Sequence, residues 1–392
     1  MAKYEPLDLV EAAFIGRGPM GIFATMILDG HIDVDRLSEA VTRVGSVVPE
    51  TLCRLDDHHM RFLPVPSPDV IREVTGLVEA GFEWDPTSDT QVKILVGHGF
   101  DTDSIVLGMT HMVTDGIGMV QYMSLLADAY NGNLPDLHNQ RSINVMLRDV
   151  KVGEPTQAEL AAEKLAPQSF GLPDSGNEHL CRRFTIPPEV MDAIHAMARE
   201  HGVTLNDIFL AACVRVISRN LHARVIYMPC PVDMRKLDDV GSCTVANMSG
   251  LYMSSFTVED GDSFSTTVQS VHREITELQE RNRSLAAIAK FAPICRASPV
   301  WLAKWMVRRN MLIPAIVYTN FGVLEPLQFG ECRAVTYYMT GAYRTNYQIG
   351  LNISTFMGTT SFVHTLIGDE EGAEAAEEIV HEILAECELW SR

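Results

Sequence analysis

Residues 104–120 read SIVLGMTHMVTDGIGMV, and the rest of the chain is interpreted around them. Residues 104–110 are apolar and β-rich, the composition of a short buried strand. From about 117 to 130 the pattern becomes helical, so His111 falls where a strand gives way to a helix. A histidine at a strand end can project into a cleft, where neutral imidazole can take a proton from a hydroxyl or amine near neutral pH. Asp115, four residues on, is placed to turn back and fix the local backbone, and Gly116 supplies the freedom that such a turn needs. A plainer reading of the same residues is a satisfied histidine followed by an Asp-Gly turn, so the surrounding sequence has to decide between them.

Outward from that turn the chain alternates between strand and helix. Residues 20–29 are strand-like, and Asp33 caps a helix whose apolar positions Leu37, Ala40, Val41 and Val44 recur at helical spacing. Residues 91–97 form a further β-rich run. Between 131 and 178 the composition turns polar and rich in Asn, Gly and Pro, with room for a helix at 138–152. Beyond it, 180–186 reads as a strand, Pro187 and Pro188 open a helix to about 201, and Thr204 caps another through 219 with Ile208, Ala211, Ala212 and Ile217 on its apolar face. Strands are expected at 224–232, 248–257, 314–319, 334–340, 345–356 and 359–366, with helices at 263–281 and about 371–388. The expected class is α/β in two lobes: residues 1–137 carry the histidine turn, 138–178 cross over, and 179–392 form the second lobe.

Composition sets the outer limits. The chain has 392 residues, 46% hydrophobic and 21% charged, enough to bury a sizeable core. Its formal net charge of −20 repels nucleic acid, so no nucleic-acid partner is expected. The opening MAKYEPLDLVEAAF lacks the features of a secretory signal, and no apolar run reaches the length of a membrane span, which points to the cytoplasm. Eight scattered cysteines without a CxxC pair read as reduced structural thiols. His58-His59 reads as a polar turn rather than a metal site, Asp101 and Asp103 as a loop, and no phosphate-cradling glycine motif appears.

Thr110-His111-Met112-Val113-Thr114-Asp115-Gly116 contains an HxxxDG pattern. With it come LDGHIDVDRLSEAVTRV at 28–44, LCRL at 52–55, GVTLNDIFLAACVRVISR at 202–219, PVDMR at 231–235 and Asn320-Phe321-Gly322, in that order along nearly the whole chain. Taken together these segments resemble the CoA-dependent acyltransferase superfamily of chloramphenicol acetyltransferase, which includes condensation domains and alcohol acetyltransferases. The resemblance implies a two-lobed fold with a central channel at the lobe interface. It also implies that His111 is the general base of acyl transfer from a thioester donor to an alcohol or amine. Asp115 then matches the structural aspartate, with Arg235 as its ion-pair partner, while Gly116, Asn320 and Gly322 are structural at the site. Condensation domains usually carry a second histidine where this chain has Thr110, a departure that favours a free-standing acyltransferase. The fuller plant form DFGWG is also absent around Asn320.

Other expectations follow. Ser354 or Asn352, on the stretch QIGLNISTF, is a candidate donor to a tetrahedral oxyanion or a channel residue. No tightly bound cofactor is expected; acyl-CoA or acyl-pantetheine enters as co-substrate, so the partners are a small-molecule acceptor and acyl-CoA or an acyl carrier protein. Between 281 and 309 stand seven cations and no Asp or Glu. Arg296, Lys304, Arg308 and Arg309 mark a candidate face for an anionic partner, and Trp301 and Trp305 beside them suggest peripheral membrane contact. Two rival readings stay open at this point: a condensation-like enzyme acting on carrier-bound substrates, and a non-catalytic binding protein of the same fold.

Overall fold

A computed structural model describes residues 4–16, 21–79, 81–147, 150–172, 176–237, 243–310, 314–343 and 349–390. The first part of the chain forms α1 (Pro6–Ala12), β1 (Gly21–Leu28), α2 (Val34–Val47), β2 (Cys53–Asp56), β3 (Arg61–Pro64), β4 (Ile71–Thr75), β5 (Val92–His98), β6 (Asp103–Thr110) and α3 (Gly116–Tyr130). The crossover holds the short helices α4 (Asn144–Leu147) and α5 (Gln157–Ala162). Then follow β7 (Glu178–Ile186), α6 (Pro188–His201), α7 (Leu205–Leu221), β8 (Val225–Tyr227), β9 (Cys230–Asp233), β10 (Ser249–Tyr252), β11 (Ser255–Thr257), α8 (Phe264–Glu280), α9 (Ala286–Ala297) and α10 (Val300–Asn310). The chain closes with β12 (Ile316–Leu324), β13 (Gln328–Phe329), β14 (Cys332–Thr340), β15 (Ile349–Phe356), β16 (Thr359–Gly368) and α11 (Glu370–Trp390).

Local chemistry explains the best-defined elements. Asp33 accepts a hydrogen bond from the Arg36 amide at 3.0 Å, satisfying one of the orphan donors at the start of α2. Leu37, Ala40, Val41 and Val44 lie buried on its inner face. Thr204 and Asp207 form a reciprocal capping box at the start of α7. Strand β6 is buried on both faces: Ile105, Leu107 and Met109 pack into the core with α2 and α3, while Val106 turns to Phe23 and Tyr343.

Two sheets carry the lobes. The first has the order β13-β14-β1-β6-β5-β4, and the second β12-β15-β16-β7. Strand β14, from late in the chain, pairs antiparallel with β1, setting Thr340 opposite Phe23 and Tyr337 opposite Met26. The chain is therefore not divided between the sheets at one point, because residues 328–340 return to the sheet built by the first 110. The second sheet shares a core with α6, α7, α8 and α11.

Several expectations need correction. The run 224–232 is not one strand. β8 pairs with β11 and β9 with β10, and between them the Met228 amide donates to the Ser254 carbonyl while Pro229 has no amide hydrogen to continue a ladder. The run 248–257 divides for the same reason. Among the described residues the helix expected at 138–152 is the single turn α4, with residues 148–149 outside the described residues. Residues 345–348 of the expected strand at 345–356 lie outside the described residues, and β15 begins at Ile349. Among the described residues no helix is long and apolar enough to cross a membrane.

Candidate active site

The last residue of β6, Thr110, is buried and donates its hydroxyl to Gln91 Oε1 at 2.7 Å, which pins the strand end. His111 follows in a tight turn before α3. Its side chain is half-buried, and its Nδ1 is buried with no hydrogen-bond partner among the described residues. An unmet buried nitrogen costs about 1–3 kcal/mol, so the group is available to a ligand, a reacting proton or an ordered water.

Asp115 is the N-cap of α3, its Oδ1 accepting the Gly118 amide at 2.8 Å. Its other oxygen accepts from Arg235 Nη1 at 2.9 Å and from the Met248 amide at 2.7 Å, all in buried surroundings. The structure thus brings Asp115 and Arg235 together across 120 residues of sequence. Arg235 also donates to Asp233, to the Thr244 hydroxyl and to the carbonyls of Thr244 and Ala246. Burial alone would lower the Arg235 pKa, but the Asp115 charge and hydrogen bond outweigh it and leave the guanidinium raised above its ordinary value. The Asp115 amide donates back to Ala246 at 3.1 Å, so the 243–248 segment and the histidine turn are bonded as one unit.

A second anchor went unread in the sequence. Arg141, from the crossover, donates to the Met112 carbonyl at 3.2 Å inside the histidine turn and to Asp8 of α1 at 3.1 Å, with Glu50 at 3.7 Å. Burial lowers the Arg141 pKa and the Asp8 and Glu50 charges more than restore it, while burial raises the Asp8 carboxyl. No local pattern marks these residues, because Asp8, Glu50, Met112 and Arg141 meet only after four separated segments have folded.

Phe321 packs against the start of α3. A Cβ on Gly116 would lie 2.6 Å from the Phe321 ring, so only glycine lets β12 approach this closely. Asn320 accepts the Gly322 amide at 2.9 Å, and Gly322 has a φ of +76°. Both therefore shape the bend that presents Phe321 rather than offering polar groups of their own.

Asn352 does not suit the oxyanion role read from the sequence. Its Oδ1 accepts the Gly341 amide at 2.7 Å and its Nδ2 donates to the Val363 carbonyl at 3.2 Å, so its amide is spent on tying strands together. Ser354 differs. Its hydroxyl is buried with no partner among the described residues, as are those of Tyr337 and Thr340 on β14, the strand that packs against β15. Lys304 is likewise corrected as part of an open basic face: it is buried and paired with Asp57. Arg296 is exposed and bonded to Asn144, Arg308 is exposed with its Nε on the Ala13 carbonyl, and Arg309 is exposed.

Elsewhere, His59 bonds Asp56 at 2.8 Å in the exposed turn between β2 and β3. Asp103 is not a loop residue; it is fully buried at the start of β6, accepting from His31, His98 and the Ile32 amide. The eight cysteines are free thiols, and burial pushes several up, Cys295 and Cys230 to about 12. Among the described residues no group of three or more His, Cys, Asp or Glu is placed to hold a metal ion.

No family model matches the chain, and no curated protein matches it. Solved structures do. The first condensation domain of the CDA synthetase is 16% identical with a TM-score of 0.66, over 95% of this chain and 92% of that one. The SgcC5 protein from Streptomyces globisporus is 13% identical with a TM-score of 0.68, over 100% and 98%. Polyketide synthase associated protein 5 from Mycobacterium tuberculosis is 14% identical with a TM-score of 0.69, over 97% and 95%. At these identities the likeness shows the fold, and the two-lobed α/β arrangement expected from the sequence is the one the chain adopts.

Proposed function

We propose that the protein is an acyltransferase that moves an acyl group from a thioester, acyl-CoA or an acyl carrier protein, to an alcohol or amine. The observation that carries this reading is the unpartnered imidazole of His111 on a turn anchored twice, by Arg235 through Asp115 and by Arg141 through the Met112 carbonyl. In this reading the neutral imidazole takes the proton from the acceptor as its oxygen or nitrogen attacks the thioester carbonyl. The resulting tetrahedral oxyanion accepts a hydrogen bond from a donor, for which the free Ser354 hydroxyl is the candidate. Collapse breaks the carbon–sulfur bond, and the imidazolium returns its proton to the departing thiolate. Asp115 and Arg235 position the turn without exchanging protons.

The structural neighbours supply supporting context. Condensation domains are among them, which favours a carrier-linked donor, and the Streptomyces globisporus protein was solved with an aryl ethanediol, which favours an alcohol acceptor. The test is thiol release from purified protein given acyl-CoA or acyl carrier protein with a panel of alcohols and amines. Acceptor-dependent thiol release supports the reading, and the donor that works decides between CoA and carrier protein. Measurable binding of these compounds with no thiol release from any donor would favour a binding protein and overturn the reading.

A further inference from the structure

Two of the four tryptophans are packed within the fold: Trp84 against Phe23 and Phe82, and Trp390 against His201 and Phe264. The other two stand outside it. Trp301 is 70% exposed and Trp305 54%, one turn apart on α10. Arg308 and Arg309 continue the same face at the i+7 and i+8 positions from Trp301. The opposite face holds the helix down: Ala303 is buried, and Val300, Met306 and Val307 pack on the first-lobe core. On adjoining α9, Ile294 is 43% exposed, with exposed Lys290 one turn before it.

We infer that the outer face of α9 and α10 is a docking surface for an anionic membrane. Neither helix contains an acidic residue, Asp57 nearby is engaged with Lys304, and Asp8 and Glu11 on the neighbouring α1 are buried. Cations therefore dominate a face that also offers two indole rings and an isoleucine. Indole has an apolar body and a polar edge and settles at the headgroup level, with neighbouring Arg and Lys meeting lipid phosphates. The rest of the chain carries a large negative excess that repels such a surface, which restricts contact to this face and fixes the orientation of docking. With a screening length of about 8 Å at physiological salt, that repulsion does not cancel the local attraction. An acidic protein would also be drawn to this face and is the alternative outcome of the test below; two indoles one turn apart, beside cations and with no acid on either helix, match the composition of a membrane-surface helix. Through Val300, Met306 and Val307 the same helix packs on the core that also holds Met112 and Val113, so a docked protein would hold its histidine turn in a set relation to the bilayer.

The test is co-sedimentation with phosphatidylcholine vesicles that contain about 30% phosphatidylglycerol, and with phosphatidylcholine alone, at low and high salt. The expected result is salt-sensitive binding to the anionic vesicles only, with brominated lipid quenching the tryptophan fluorescence. Trp301→Ser with Trp305→Ser should weaken binding by about tenfold or more, and Arg308→Gln with Arg309→Gln by about twentyfold at low salt. These side chains lie outside the core, so unchanged unfolding temperatures identify the variants as folded. No vesicle binding, or binding that survives loss of both tryptophans, would overturn the inference. So would the absence of vesicle binding together with arginine-dependent binding to an acidic carrier protein, which would assign the face to a protein partner.

Discussion

Replacing Arg235 with Met takes away the cation that joins the histidine turn to the second lobe, and the structure sets the size of the effect. The side chain is 7% exposed and donates to five acceptors: Asp115, Asp233, the Thr244 hydroxyl and the carbonyls of Thr244 and Ala246. Methionine fills much of the volume but donates to none of them. Asp115 would keep the Gly118 and Met248 amides yet remain a buried carboxylate without a counter-charge. Removing one partner of a buried pair costs about 3–5 kcal/mol, and that is the expected loss of unfolding free energy in urea. Because the Asp115 amide and the Arg235 guanidinium share the Ala246 carbonyl, the turn should also shift; a displacement of about 1 Å at a reacting group costs on the order of 10²-fold in turnover. The double-mutant cycle with Asp115→Asn sharpens the test. If the pair acts as a unit, the double variant should be less destabilised than the sum of the singles by about 2 kcal/mol or more. A loss below about 1 kcal/mol for Arg235→Met, or simple additivity, would refute the claim that this pair holds the turn.

Two further outcomes follow from single contacts. Gly116→Ala drives a methyl group into the Phe321 ring and should cost about 1–3 kcal/mol of stability, most of it regained when Phe321→Ala is added; an undisturbed Gly116→Ala protein would show that the two segments do not touch. His364 is fully buried with neither ring nitrogen bonded among the described residues, and burial first, then Arg182 and His381, lowers its pKa to about 4. The unfolded chain, with an ordinary imidazole near 6.5, binds the proton first as pH falls, so this contribution is intact above about pH 6.5 and is lost progressively down to about pH 4, for a total of about 3 kcal/mol. Stability compared between wild type and His364→Leu across that window should show the wild type losing more on acidification, and parallel curves would contradict the assignment.

Much of the fold was legible because it is written locally. Asp33 before Leu37, Ala40 and Val41, and Thr204 before the apolar face of α7, place caps and periodicity within a few residues of each other. The strand-turn-helix around His111 shows the same economy. What depended on distant partners was not legible. Nothing in 332–340 says that β14, besides its hairpin with β13, will pair with β1 from the start of the chain, and the split of 224–232 is settled by which strands arrive on either side of Pro229. The basic run at 281–309 looked like one open face, yet Lys304 meets Asp57 and Arg283 meets Glu159, acids supplied from other segments. Asn352 is a polar residue on a strand, and nothing near it in sequence shows that the Gly341 amide and the Val363 carbonyl take up its side chain. At the site, Asp115 and Arg235 were identified through resemblance, whereas Arg141 reaches the turn through a backbone carbonyl that carries no sequence signature.

The central claim is that the His111 imidazole removes the acceptor proton, and it is tested most directly by the rate of acceptor-dependent thiol release in His111→Ala beside wild type, with matched donor and acceptor. The expected result is a fall of about 10² to 10⁴-fold in a variant whose unfolding transition is unchanged. Equal rates in the two proteins would contradict it.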